Sequence, residues 1–122
     1  MRGVASAPLC SNDPQEVVAA RVRDYLSRCY VPVTSHMTIP AGNTYMSRTL
    51  TLNYQVTESY PWDHGSRFGV YAARSYTLVV DVRAGEAACA TSVESRASNE
   101  AWARRFASIE QAANGATPAC SR

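Results

Sequence analysis

The chain has 122 residues, enough for one domain with a single core and too few for two ordinary ones. Twelve basic residues, all of them arginine, face ten acidic ones, and the formal charge of +2 excludes the strongly basic footprint of a nucleic-acid binder. No run of 18 apolar residues occurs, which excludes a membrane-spanning helix.

Residues 1–12 read as a flexible N-terminal lead. The opening MRGVASAPLC lacks the apolar stretch of a signal peptide. For an exported domain, the expectation is that the natural signal has been removed, with a lipid anchor upstream left open. A helix then begins at Asp13-Pro14. Asp13 can cap, Pro14 fits a first-turn position that needs no N–H, and Glu16 suits the positive helix end. Val18, Val22, Tyr25 and Cys29 follow at spacings of four, three and four, giving one apolar face.

Residues 31–43 carry Pro32 and Pro40 and read as a connector, with short extended pieces at most. From Tyr45 the period becomes two. Met46, Leu50, Leu52, Tyr54 and Val56 alternate with Ser47, Thr49, Thr51, Asn53 and Gln55, which predicts one long half-buried strand. Arg67 to Arg83 alternates in the same way and reads as a second strand, with Arg74 breaking its apolar row at a bulge or register switch. A third strand runs from Cys89 through Thr91 and Val93. A second helix starts at Ser98, buries Trp102, Phe106, Ile109 and Ala113, and stops at Asn114-Gly115.

The expected fold is therefore α+β, a two-layer sandwich of α-β-β-β-α order. A three-stranded antiparallel sheet carries both helices on one face. Residues 13–115 form the domain, and residues 116–122 form a tail tied down by Cys120.

Four cysteines, Cys10, Cys29, Cys89 and Cys120, are spread along the chain with no C-x-x-C pair. They read as a disulfide framework in an oxidising compartment, which predicts a periplasmic or secreted protein. The first helix is about 20 Å long, too long for Cys10 to reach back to Cys29. Cys29 and Cys89 both lie on apolar rows, so the preferred pairing is Cys29–Cys89 with Cys10–Cys120. The alternative is Cys10–Cys89 with Cys29–Cys120.

No catalytic or metal motif organises His36, His64 or the acidic residues, so no cofactor and no metal is expected. A pocket joining His64, Asp63 and a serine would be needed for a small hydrolase. The unusual segment is Ser59–Phe68, which gathers Tyr60, Trp62, Asp63, His64 and Arg67. Tyr, Trp and Arg dominate protein–protein hot spots, which makes this segment the first candidate binding loop. The polar strand face, Thr49, Thr51, Asn53, Gln55 and Thr77, is the second. The reading is a non-enzymatic protein that recognises another protein, an inhibitor or immunity-like partner, or else an envelope accessory subunit. An edge strand could also pair two copies as a homodimer.

Overall fold

In a computed structural model, residues 3–120 other than Pro32 and Ala73 are described, with the side chains of residues 33–37, 39 and 48–52 outside that description. Helix α1 (Gln15–Cys29) forms where the apolar spacing places it and buries Val18, Ala19, Val22, Tyr25 and Leu26. Pro14 stands one position earlier than expected, at the N-cap, and its carbonyl accepts the N–H groups of Val17 and Val18. Asp13 does not cap. Its carboxylate instead accepts a hydrogen bond from Arg21 at 2.6 Å.

The expected three-stranded sheet is replaced by eight strands. Six of them, β1 (Val4–Ala5), β2 (Leu9–Ser11), β5 (Tyr54–Trp62), β6 (Gly65–Ala72), β7 (Ser75–Ala84) and β8 (Thr91–Ala97), build one antiparallel sheet. Its order is β1-β8-β7-β6-β5, and β2 also pairs with β8. Residues 33–52 form a separate two-stranded ribbon, β3 (Val33–Ala41) and β4 (Thr44–Leu52).

Each added strand has a local cause. Within the expected flexible lead, Val4–Ala5 and Leu9–Ser11 form edge strands, because Val4↔Ala97 and Cys10↔Ser92 place them along β8. The connector is a full strand, since Pro40 sits near the ribbon tip opposite Tyr45, where a missing N–H is tolerated on an edge. The long strand from Tyr45 is interrupted at Asn53, so β4 pairs with β3 and β5 pairs with β6. The strand expected from Arg67 to Arg83 is a tight hairpin. Arg74 has φ 75° and sits in its turn, between the paired Ala72 and Ser75. The register also shifts beside it, from Val70↔Leu78 to Tyr71↔Tyr76. The bulge buries Thr77, whose hydroxyl donates to the Val70 carbonyl at 3.1 Å. It also moves Tyr76 off the core row.

The C-terminal helix is two pieces, α2 (Glu100–Ala103) and α3 (Phe106–Ala113). Asn99, rather than Ser98, caps the first by accepting the Trp102 N–H at 3.0 Å.

All helices pack on one face of the six-stranded sheet. Phe68, Val70, Leu78, Val80, Val82, Val93 and Ala97 meet Val18, Val22, Tyr25, Leu26, Ile109, Ala112 and Ala113 there. Each large apolar side chain so buried contributes about 1.5–3 kcal/mol. Tyr30 and Tyr54, which flank the ribbon in sequence, join this core at one end. Their ring centroids are 5.7 Å apart, and Trp102 touches both. The ribbon thus leaves the body from a clasped root. Nine paired positions give it a length of about 30 Å. Gly42, with φ 65°, starts its two-residue turn, a conformation that favours glycine.

The disulfides follow the alternative pairing, Cys10–Cys89 and Cys29–Cys120, with Cα separations of 5.5 and 5.2 Å. The preferred Cys29–Cys89 and Cys10–Cys120 pairs do not form. Strand β8 starts at Thr91, so Cys89 lies in the preceding turn and off the core row, beside β2. Cys29 ends α1 where the C-terminal tail passes, held there by an Arg28 hydrogen bond to the Pro118 carbonyl at 3.1 Å. Among the described residues, no helix is long and apolar enough to cross a membrane.

Candidate functional site

The sheet face opposite the helices carries the candidate site. Its rows are fixed by register: Ser59↔Arg67↔Asp81↔Glu94 and Thr57↔Gly69↔Val79↔Arg96, with Trp62↔Gly65↔Arg83 at the end nearer the β5–β6 turn. Asp81 is the electrostatic centre. Its side chain is only 2% exposed, and both oxygens accept from Arg67, at 2.7 and 3.1 Å. Arg96 approaches from the other side at 3.6 Å. The hydrogen bonds to Asp81 raise the Arg67 pKa, so this guanidinium is a fixed cation.

Two glycines shape the surface. A Cβ on Gly65 would stand 2.8 Å from the Trp62 ring, and one on Gly69 would stand 2.7 Å from the Tyr76 ring. Both rings therefore lie close over the backbone, where only glycine leaves room. Trp62 is flanked by two guanidinium groups, Arg67 at 5.1 Å and Arg83 at 4.3 Å from the ring centroid. Stacking of this kind holds a large side chain in one orientation and contributes about 0.5–1 kcal/mol per contact at an exposed site. Tyr71 and Tyr76 pack edge to face at 5.3 Å further along the same surface.

The expected binding loop is thus divided. Trp62 and Arg67 come together on the open sheet face. Tyr60 lies within the irregular stretch between Ser59 and Trp62, exposed and on the side of the Arg23–Glu58 ion pair. Asp63 and His64 make the two-residue turn between β5 and β6 and are exposed there. Of the second candidate row, Asn53 and Gln55 are exposed, whereas Thr77 is buried in the bulge and offers no surface. The side chains of Thr49 and Thr51 lie outside the described residues, and their strand belongs to the ribbon rather than the sheet. Arg83 and Asp81 were not among the expected site residues. Their signal was the cross-strand register, which composition and loop content do not reveal.

Two concavities flank this surface and the helices. One, of about 410 Å³, lies beside the Cys10–Cys89 bridge and is lined by Arg83, Glu86, Ser92 and Glu94 among others. The other, of about 360 Å³, lies between α1 and the tail, against Arg21 and Arg28. Neither is lined by Asp63 or His64. No group of three metal-ligating side chains converges among the described residues. No protein-family model, no curated protein and no solved structure matches the chain.

Proposed function

We propose that this chain is an exported, non-enzymatic binding protein that recognises another protein through the open face of its sheet, with Trp62 as the anchor. The observation that carries the reading is the Trp62 cluster: an indole seated over Gly65 and stacked by Arg67 and Arg83, on the sheet face opposite the helices. Trp, Tyr and Arg are the side chains that concentrate binding energy at protein interfaces. Holding them in place before association reduces the ordering cost of binding. The two disulfides are compatible with an extracellular or periplasmic protein, since such bonds persist in oxidising compartments.

The test is recovery of a partner from the native envelope or culture medium, comparing the wild-type chain with Trp62→Ala/Arg83→Ala. Circular dichroism and thermal unfolding establish that the variant is folded. Loss of a specific partner band in the folded variant supports the reading, and undiminished recovery refutes it. A second reading, an accessory subunit assembled through the ribbon, rests on the ribbon tip, where Tyr45 is 74% exposed. Tyr45→Ser/Met46→Ser separates the two, because it alters the ribbon and leaves the Trp62 cluster in place.

A further inference from the structure

The six-stranded sheet has two edges, and they are built differently. At one, β8 is flanked by β1 and β2, strands of two and three residues with Pro8 between them. Short strands and proline close an edge to further pairing. At the other, β5 runs for nine residues, and its outer side pairs with no strand among the described residues. The end of β5 is blunted by Pro61 and by the irregularity between Ser59 and Trp62. Tyr54 to Ser59 is not: these six residues pair with β6 in unbroken register and include no proline. They present about 20 Å of edge backbone, with outward N–H and C=O groups in alternation.

The side chains of this stretch select what can pair there. An edge of alternating donors and acceptors is met by another extended strand. Tyr54 and Val56 pack against the core, and the one charged residue, Glu58, is held by Arg23 of α1 on the helix side. Gln55, Thr57 and Ser59 are exposed on the open face and carry no charge. This row is complementary to a copy of itself. About a twofold axis through Thr57, perpendicular to the sheet, Thr57 meets the same residue of the second copy. Gln55 then meets Ser59, and Glu58 meets Val56, so no like charges stand opposite each other. Polar cross-strand pairs such as Thr–Thr stabilise an antiparallel sheet, whereas opposed like charges destabilise it. Such an isologous contact closes at two copies, because it uses the one long open edge of each.

We infer that β5 pairs antiparallel with β5 of a second copy of this chain over Tyr54–Ser59, joining the two sheets into one. The pairing stands independently of the partner reading of Trp62, but it bears on it. Both open faces then look the same way, and two Trp62 clusters share one surface, about 30 Å apart along the strands. A partner with two matching sites would be held at both. Six residue pairs bury less than a standard interface, so the dimer dissociates on dilution.

The test is analytical ultracentrifugation of the intact disulfide-bonded chain from about 1 μM to about 1 mM, the span in which a weak interface is half-formed. The expected result is a concentration-dependent passage from one chain to two. Gln55→Lys/Thr57→Lys changes two exposed side chains and sets like charges against each other across the axis. It should raise the dimer Kd by about tenfold or more, with folding verified by thermal unfolding. Hydrogen exchange on the wild type needs no variant: alternate amides of Tyr54–Ser59 should exchange more slowly at the high concentration than at the low one. A chain that sediments as one copy throughout overturns the inference. So does a dimer whose Kd is unchanged in the folded lysine variant, or one whose β5 amides exchange equally fast at both concentrations.

Discussion

Replacing Asp81 with asparagine removes the charge at the centre of the open sheet face while keeping the side-chain volume. In the wild type, the buried carboxylate accepts two hydrogen bonds from Arg67, at 2.7 and 3.1 Å, and faces Arg96 at 3.6 Å. Breaking a fully buried ion pair costs about 3–5 kcal/mol. Here the arginine side chains are 38% and 47% exposed and can turn toward water, so that range is an upper limit. An amide keeps one acceptor oxygen but places its NH2 group against a guanidinium. The expected loss is about 2 kcal/mol. For a chain of 122 residues, an unfolding entropy of about 2.1 cal/mol/K per residue turns this into a fall in Tm of about 8 °C. The assay is thermal and urea unfolding under non-reducing conditions, with the m-value checked for constancy. Asp81→Leu/Arg67→Met, which removes the charge and its main partner together, should unfold closer to the wild type than Asp81→Asn does. A loss below about 0.5 kcal/mol for Asp81→Asn, within the usual range of a surface change, would refute the reasoning. Equal losses in the two variants would also refute it, because the charge pairing would then not be what matters.

Three further outcomes follow from the geometry. Non-reducing peptide mapping should recover Cys10–Cys89 and Cys29–Cys120; closing a loop with sequence separation 91 is worth at most about 4.5 kcal/mol in the chain-entropy model, so Cys29→Ser/Cys120→Ser should destabilise by several kcal/mol, and a recovered Cys29–Cys89 peptide would be incompatible with the structure. Arg23 donates to both Glu58 oxygens, at 3.0 and 2.5 Å, and lowers the Glu58 pKa. Because the folded value lies below the unfolded one, the stability from this pair is fully present above the ordinary value of 4.5 and is lost as pH falls through the folded value. The difference between wild type and Glu58→Gln, about 0.5–1 kcal/mol at pH 7 for such a half-exposed pair, should therefore shrink as urea midpoints are followed down to about pH 3. Replacing residues 36–49 with a two-residue turn should leave the Tm of the body within about 3 °C of wild type, because among the described residues β3 and β4 make their extensive contacts with each other; a larger drop would show that the ribbon carries part of the core.

The parts of the fold that could be read from the sequence are those whose apolar pattern is local. Val18, Val22 and Tyr25 mark α1, and the alternations of Phe68–Val70 and Leu78–Val82 mark the central strands. The parts that could not be read depend on partners distant in sequence. Leu9–Ser11 has no strand signal of its own and becomes an edge only because β8 presents a free side. With that edge unrecognised, Cys10 had no reason to stand beside Cys89, and the cysteine pairing inverted. Pro32 and Pro40 argue against a continuing helix and leave room only for short extended pieces in a connector, whereas residues 33–41 form a full strand whose Pro40 pairs near the tip of a ribbon with two open edges. The Arg74 interruption was legible as a break in the row, but its nature, a hairpin turn at positive φ with a bulge next to it, was not. The same holds for the site. Trp62 and Arg67 are near neighbours in sequence, so one segment carries both. Asp81 and Arg83 reach them only across the β6–β7 pairing.

The clasped root of the ribbon also has a consequence for how this molecule can change over time. The two strands leave the body from one point, between the Tyr30 and Tyr54 rings, and return to it. Residue pairs can therefore be added or removed at the turn without moving either anchor. Each added pair lengthens the reach by about 3.4 Å, but side chains alternate in direction, so a change of one pair turns the tip residues beyond it to the opposite face. Changes in steps of two pairs preserve the facing, and the ribbon length is in effect a ruler graduated in units of about 7 Å.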